Sequence, residues 1–421
     1  MGNNNLSYSL LAAFVLLINL NQAVVHEAKE WKKCYFASSC LCKNISVSEQ
    51  LIVDCSGKHL LRIPRLPNNI QELSLRSNDI STIQNGIFVG NSLLTTLDLS
   101  FNRISLIRNN SFKGLTNLLS LNLSNNDLKY EHESRLRFET LENITTDLQY
   151  SAIKNLKVNY IHGIFGMPTI LKTSHIWNLK NTSLVRFEAA GNLIQRIEYG
   201  ALKYLPKSLE SADMRDNVFS IGKYMPDLRS LPITSLDISN IRSSHNALTS
   251  YIEHCDSRND TVIIDSENNW LFQQLQYLEM WKSLKYGFPV PRGLKTVSLR
   301  SSNLKYEIPN FIFIKNQLEN ISVSDNVLHT WTGPITNVKR LKFLDLSSNF
   351  CSNVSNTFFS PDFVILRYLL LQNNLLGLIL PTDVDGEIFQ NLRNVVYINL
   401  SKNRITKLPN ILFKEQHNIE R

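Results

Sequence analysis

The chain repeats one short pattern of apolar positions, L-x-x-L-x-L-x-x-N, at intervals of about 24 residues. The first copy consists of Ile70, Leu73, Leu75 and Asn78, and ten further copies start at Leu94, Leu118, Leu184, Leu209, Ile233, Leu294, Leu318, Leu341, Leu366 and Val395. Because the L-x-L pair alternates with a period of two, each copy predicts a short strand whose apolar side chains point inward. Eleven copies at near-constant spacing predict a solenoid.

This pattern is identified as the leucine-rich repeat signature. It predicts an α/β repeat fold, a curved horseshoe with a parallel sheet on its concave side. The asparagine stands where the chain leaves the strand, and its amide can pair with backbone groups that otherwise stay unsatisfied. Position 19 of five copies is also apolar, which predicts a spine of core residues on the convex side: Phe88, Phe112, Leu202, Phe359 and Phe413.

Two stretches, 129–183 and 239–274, interrupt the repeat. Residues 153–161 (IKNLKVNYI) are a candidate for one worn copy, and a weaker copy could start at Leu275. Long loops in a regular array often carry function, and drifted repeats with tolerated insertions are the alternative interpretation.

The amino-terminal segment favours export. Residues 10–20 (LLAAFVLLINL) form an apolar run that is too short to cross a bilayer and matches the core of a secretory signal peptide, which we place at 1–23. No later stretch reaches 18 apolar residues. We therefore expect a secreted chain, or one on the extracellular side of a membrane.

The cysteines and glycosylation sequons agree with an oxidising compartment. Cys34, Cys40, Cys42 and Cys55 crowd together without paired C-x2-C knuckles, which favours disulfides over zinc. Cys255 and Cys351 stand apart, and either pair with each other or remain free. Nine N-x-[ST] sequons predict a glycoprotein: Asn44, Asn109, Asn122, Asn143, Asn181, Asn259, Asn320, Asn353 and Asn399.

Composition narrows the function classes. Hydrophobic residues make up 43% of the 421 residues, which excludes global disorder. The net charge of +8 either favours an acidic partner or only maintains solubility, and makes a nucleic-acid ligand a weak possibility. No nucleophile elbow, zinc-protease helix or phosphate-binding loop occurs, and His254 beside Cys255 lacks a second ligand pair. We expect no enzyme, no metal and no cofactor.

The cysteine cluster ahead of the first repeat resembles the amino-terminal cap of extracellular leucine-rich repeat proteins. This resemblance implies bonds Cys34–Cys42 and Cys40–Cys55, a cap at 24–69, and about 11 to 13 repeats over 70–421. With phenylalanine at position 19 and a worn stretch that opens at 128–131 (LKYE), the whole resembles the ectodomain of a Toll-like receptor. That family's carboxy-terminal cap, membrane span and cytoplasmic domain are not found in this sequence, so we expect the amino-terminal part of such a receptor.

Positions 2, 3, 5, 7 and 8 of each copy should face outward from the concave sheet. Exposed aromatic side chains beside cations make a plausible contact patch, and ordinary surface is the alternative. The candidate binding residues are Arg76, Lys342, Phe343, Arg367, Tyr368, Tyr397 and Lys402. Glycans on Asn122 and Asn399, which lie on concave strands, would shift binding to the flanks or the inserted loops.

The resemblance implies a pattern-recognition receptor of innate immunity that binds a protein or microbial ligand and forms a homodimer or heterodimer. Two further hypotheses remain: a secreted adhesion or matrix protein that binds another protein along its concave face, and a soluble decoy that captures a ligand without signalling.

Overall fold

A computed structural model describes residues 31–45, 49–128, 139–161, 169–198, 200–218, 231–240, 288–302, 304–308 and 310–420. The expected signal peptide, Cys255, the Asn259 sequon and the weaker copy from Leu275 lie outside these residues. In chain order the strands are β1 (Lys32–Lys33), β2 (Leu41–Asn44), β3 (Leu51–Asp54), β4 (Ile70–Ser74), β5 (Thr82–Ile83), β6 (Thr96–Asp98), β7 (Leu106–Ile107), β8 (Ser120–Asn122), β9 (Asn155–Lys157), β10 (Thr169–Leu171), β11 (Arg186–Glu188), β12 (Ile194–Ile197), β13 (Ser211–Asp213), β14 (Ser235–Asp237), β15 (Phe288–Pro289), β16 (Thr296–Ser298), β17 (Lys305–Ile308), β18 (Phe311–Ile314), β19 (Asn320–Ser322), β20 (Val327–Trp331), β21 (Ile335–Thr336), β22 (Phe343–Asp345), β23 (Asn353–Val354), β24 (Tyr368–Leu370) and β25 (Tyr397–Asn399).

One sheet of fifteen strands dominates the described residues, in the order β1-β2-β3-β4-β6-β8-β9-β11-β13-β14-β16-β19-β22-β24-β25. From β3 onward every neighbouring pair is parallel, with one register shift between β3 and β4, and from β4 onward the pairs are in register, so that Leu97 pairs with Leu121 and Leu121 with Leu156. The predicted leucine-rich repeat solenoid is confirmed. Short parallel sheets on the other sides of the turns join β5–β7, β10–β12, β15–β18–β21 and β17–β20–β23.

Helices are few in the described residues. The α-helices are α1 (Glu139–Leu148) and α2 (Thr173–Ile176), and 3-10 helices span Trp177–Asn181, Ala201–Tyr204, Leu376–Leu378 and Leu380–Thr382. The apolar spine fills the space behind the sheet, where Phe88 and Phe112 are buried and stack with ring centroids 6.1 Å apart. Phe359 is equally buried, whereas Phe413 is half-buried.

Both interruptions of the repeat are accommodated without breaking the sheet. Strand β9 lies between β8 and β11, so 153–161 is a true copy of the repeat. Ile161 stands where other copies have asparagine, and its carbonyl oxygen accepts the Leu128 N–H at 2.9 Å. Beyond the second interruption, β14 pairs directly with β16.

The amino-terminal cap contains both disulfides that the resemblance implies, Cys34–Cys42 and Cys40–Cys55. Strand β2 pairs antiparallel with β3, and β3 pairs parallel with β4 of the first repeat. Val53 and Cys55 are buried, so the cap continues the core and covers the first turn.

A row of buried asparagines holds the turns together. Asn374 is 3% exposed, and its amide nitrogen donates to the carbonyl oxygens of Leu346 and Leu371 at 3.1 and 2.9 Å. Its amide oxygen accepts the backbone N–H groups of Asn349 and Cys351 at 3.1 and 2.9 Å. One side chain therefore satisfies four buried backbone groups. The other buried members are Asn78, Asn102, Asn126, Asn192, Asn217, Asn326, Asn349 and Asn403.

We expect Asn374→Ala to lower the free energy of unfolding by about 2–4 kcal/mol, because it leaves buried donors and acceptors unpaired. Urea unfolding followed by circular dichroism measures the effect. Asn373 is the matched control, since it is exposed with φ +58° and glycine tolerates that conformation. Asn373→Gly should cost under about 1 kcal/mol, and equal losses from both variants would contradict the proposed role of the row.

Hydrogen bonds from α1 and α2 hold the first inserted segment, 129–183, against the solenoid. Thr145 on α1 donates its hydroxyl to the His175 carbonyl oxygen at 3.1 Å, and Asp147 accepts the Phe112 N–H at 3.0 Å. The buried His175 ring accepts the Lys172 N–H on Nδ1 at 3.0 Å, which requires the unprotonated nitrogen. Burial, aided by the Lys172 charge, lowers the pKa of His175 from 6.5 to about 4.

The unfolded chain therefore binds a proton at His175 at a higher pH than the folded chain does. Stability should be complete above pH 6.5 and fall as the pH drops toward 4, by up to about 3 kcal/mol. His175→Asn keeps an acceptor near the Nδ1 position but does not titrate, so its stability should vary less over this range. Thermal unfolding at successive pH values tests this, and parallel profiles for both proteins would exclude His175 as the cause.

Candidate functional site

The concave face is built from the strand residues that point away from the core. In β22, β24 and β25 the central residues Leu344, Leu369 and Ile398 pack inward, so their neighbours on each strand face outward. Phe343, Tyr368 and Tyr397 occupy the first position of these three strands and are paired in register. Tyr368 is 48% exposed and Tyr397 46%, while Phe343 is half-buried. We call these three side chains the aromatic ladder.

Cations lie before and after the strands that carry the aromatic ladder. Lys342 and Arg367 directly precede Phe343 and Tyr368, and Lys402 follows β25. Lys342 forms an ion pair with Glu319 at 2.7 Å. Arg367 and Lys402 are exposed, and no ion pair involves either of them within the described part of the chain.

Six of the seven candidate binding residues therefore lie together, and Arg76 does not. Arg76 follows β4, nine strands from β22, and a spacing of about 4.8 Å per strand places it roughly 43 Å away along the sheet. Its guanidinium lies 4.2 Å from the centre of the Phe101 ring and donates to the Ser100 hydroxyl at 3.4 Å. This stacking between neighbouring repeats gives Arg76 a local role separate from the aromatic ladder.

The middle of the concave face carries a row of carboxylates that the sequence analysis missed. Glu188, Asp213 and Asp237 end β11, β13 and β14 and are paired in register, on strands whose backbones are about 4.8 Å apart. They line an open depression of about 440 Å³ together with Glu210 and Arg186. The recurrence of acidic residues at position 5 of three copies is the signal that could have revealed them.

Partial burial is the main cause that raises the pKa of Asp213, and the neighbouring Asp237 and Glu188 raise it further. Arg215 opposes this shift through an ion pair at 3.3 Å. Lys157 partly balances Glu188 at 2.9 Å. The centre of the concave face is thus acidic, in contrast to the aromatic ladder with its cations.

No catalytic arrangement emerges from the described side chains. They include no group of three or more His, Cys, Asp or Glu residues placed to hold a metal ion. Cys351 is a free thiol with 0% exposure, and burial raises its pKa to about 12, which keeps it protonated at neutral pH. Among the described residues, no helix is both long enough and apolar enough to cross a membrane.

The sequons divide into two groups by exposure. Asn44, Asn109, Asn181 and Asn353 are exposed, whereas Asn122, Asn143, Asn320 and Asn399 are half-buried. Asn320 pairs in register with Phe343, and Asn399 ends the strand that begins with Tyr397. A glycan at either position would cover the aromatic ladder.

When the chain is expressed through the secretory pathway of eukaryotic cells, we expect glycans on the four exposed sequons and none on Asn320 or Asn399. The Asn320 amide donates to the Thr296 hydroxyl at 3.1 Å, and the Asn399 oxygen accepts the Ser401 N–H at 3.0 Å, so both are engaged on the sheet. Glycopeptide mass spectrometry measures occupancy. High occupancy at Asn320 or Asn399 would remove the aromatic ladder as a contact surface.

Comparisons with known proteins agree with the fold. The leucine rich repeat family model matches residues 68–128. The Toll-like receptor 4 of Pinctada imbricata is 30% identical over 248 residues, which cover 52% of this chain and 28% of that protein. The chain thus spans little more than a quarter of the length of this curated relative.

One solved structure shares the fold, and a second matches more weakly. The structure of the Drosophila Toll–Spatzle complex matches with a TM-score of 0.53 and 17% identity, over 82% of this chain and 37% of that chain. The leucine-rich repeat domain of APL1B matches with a TM-score of 0.43 and 18% identity, over 84% and 79%. The chain has the fold of a leucine-rich repeat solenoid and resembles the ectodomain of a Toll-like receptor.

Proposed function

We propose that the chain is the ligand-binding ectodomain of a Toll-like pattern-recognition receptor that acts in innate immune signalling. In this proposal it is an exported glycoprotein on the extracellular side of a membrane, and it recognises a protein or microbial ligand. The observation that carries the proposal is the aromatic ladder, three aromatic side chains in register on adjacent strands of the concave face.

The aromatic ladder has the properties of a protein-binding hot spot. Tyrosine supplies a large amphipathic contact area with few rotatable bonds, and tyrosine and arginine are enriched among residues that dominate binding energy. Arg367 lies beside both tyrosines along the sheet edge, because Val396 and Tyr397 donate their backbone N–H groups to its carbonyl oxygen at 2.9 and 3.1 Å. The backbone of the sheet therefore holds the three aromatic residues and the neighbouring cation in fixed relative positions.

Similarity supports the same interpretation. The identity to a molluscan Toll-like receptor extends over about half of the chain. The Toll chain that shares its fold was solved in a complex with Spatzle, which agrees with a protein as one class of ligand. In a receptor of this kind, ligand binding would bring two copies, or this chain and a partner, together and so bring signalling domains together.

A chimaeric receptor tests this function. Residues 1–421 are joined to a membrane-spanning helix and a cytoplasmic reporter domain that responds to dimerisation, and cells are exposed to microbial cell-wall fractions, nucleic acids and secreted proteins. We expect at least one class to activate the reporter. Replacing Phe343, Tyr368 and Tyr397 by alanine should reduce the potency of that class by at least about tenfold, since each hot-spot residue contributes about 1–2 kcal/mol.

The control replaces Tyr150 and Trp177 by alanine. These side chains are 82% and 52% exposed and lie in the inserted segment, far from β22, β24 and β25. This variant should respond like the original chimaera. Binding of a ligand without reporter activation would favour the secreted adhesion protein or the decoy. Activation that survives in the aromatic variant would contradict the proposed binding surface.

A further inference from the structure

The turns that lead into the last five strands of the main sheet are strongly basic. Within the four residues before β16, β19, β22, β24 and β25 there are seven cations and one anion, Glu319. We call the seven cations the basic edge, and all seven are exposed: Arg292, Lys295, Lys339, Arg340, Lys342, Arg367 and Arg393. The same positions before the seven earlier repeat strands contain only Lys154, Lys207 and Glu210 as charged residues. The charge is therefore a property of one part of the solenoid.

The sheet arranges these cations in a line. Because the strands are parallel, the residues that precede them meet along one edge, and neighbouring strands are about 4.8 Å apart. Lys295, Glu319, Lys342 and Arg367 directly precede four consecutive strands. Backbone bonds fix this order, since Lys342 and Arg367 donate their N–H groups to Glu319 and Lys342 at 2.8 and 2.9 Å.

Internal ion pairs neutralise only part of the basic edge. Glu319 lies 2.7 Å from Lys342 and 3.9 Å from Lys295, and the Lys342 hydrogen bond lowers the pKa of its carboxyl group. Arg393 pairs with Glu415 at 3.8 Å. The other four cations form no ion pair with any residue that the structure describes: Arg292, Lys339, Arg340 and Arg367. The edge thus retains a clear excess of positive charge for a partner to meet.

Its surroundings favour a protein over a bare polyanion. Lys342 and Arg367 adjoin the aromatic ladder, so cations and exposed aromatic rings form one continuous surface. At the turn before β24 the edge is apolar, because Val364 and Ile365 are 45% and 38% exposed there. Sulfate and phosphate groups gain nothing from the apolar Val364 and Ile365, whereas a protein segment with carboxylates beside apolar residues matches both the cations and the apolar side chains.

The acidic row in the middle of the concave face limits where such a segment can bind. Asp237 on β14 is three strands from β22, which is about 14 Å along the sheet. This distance exceeds the Debye length of about 8 Å at physiological salt, so the cations beside β22 and β24 are screened from the acidic row, whereas Lys295 before β16 adjoins it. An acidic segment displaced toward β14 would meet like charge, which fixes its position at the last repeats.

We propose that the basic edge is the docking surface for an acidic segment of a protein ligand, whose apolar side chains rest on the aromatic ladder. This inference rests on the proposed function and specifies the chemistry of the ligand. The carboxylates pair with the cations that lack an internal partner, and the aromatic ladder supplies the apolar anchor.

A displayed library of random twelve-residue peptides tests the inference on the full chain. We expect retained peptides to be enriched in Asp and Glu by at least about threefold and to contain aromatic or aliphatic residues. Lys339→Glu with Arg340→Glu should weaken binding of the selected peptides by at least about tenfold. The control is Lys154→Glu with Lys207→Glu, which makes the same charge change at exposed positions in the turns before β9 and β13 of earlier repeats and should leave binding unchanged.

The outcomes separate this inference from the proposed function. If the selected peptides are not enriched in Asp and Glu but their binding still requires Tyr368 and Tyr397, the inference of an acidic partner is wrong and the proposed ligand-binding surface stands. Peptides that depend on neither the aromatic ladder nor the basic edge would overturn both. A heparin fragment or a single-stranded oligonucleotide that binds the basic edge at least about tenfold more tightly than the best peptide would identify a polyanion site and contradict a protein ligand.

Discussion

The solenoid depends on one constraint, which is that no turn can satisfy its own strand. A three-residue strand such as β6 or β8 has backbone donors and acceptors on both edges and apolar side chains on one face. Only a neighbouring turn with the same spacing can both pair these backbone groups and cover these apolar side chains. The buried asparagines extend this dependence, because nearly all of them, such as Asn374, bond to carbonyl groups of their own turn and of the turn before it. Register is consequently uniform from β4 to β25.

This uniformity separates the residues that hold the fold from those that are free to vary. Positions 1, 4, 6 and 9 are committed to the core and to the asparagine row. Positions 2 and 3 reach the concave face, and position 5 does so while its Asp or Asn often accepts the backbone N–H two residues on. The structure uses that freedom in opposite ways at two places. It places carboxylates at Glu188, Asp213 and Asp237, and aromatic rings with cations along β22, β24 and β25. A rigid array can therefore carry surfaces of contrasting chemistry without any change in its backbone.

The sequence was sufficient wherever periodicity and backbone pairing decide the outcome. The repeat pattern located the strands, and even the worn copy at 153–161 kept enough apolar positions to be recognised. Clustering across strands was harder to predict, since it depends on which copies become neighbours. Lys342, Phe343, Arg367 and Tyr368 come from consecutive copies and do meet, whereas Arg76 resembles them in type and lies far away. The acidic row was missed because each carboxylate looks ordinary within its own copy and becomes significant only across three aligned strands.

The direct pairing of β14 with β16 has a consequence for folding kinetics. Ser239 and Ser298 form a side-chain hydrogen bond although they are 59 residues apart in sequence, whereas Asn320 and Thr296 bond across only 24. The entropic cost of loop closure rises only logarithmically with length, so the longer connection costs roughly 0.8 kcal/mol more. Such a small cost tolerates the insertion and delays closure of this junction only slightly relative to the others. The junction joins the part of the sheet that carries the acidic row to the part that carries the aromatic ladder.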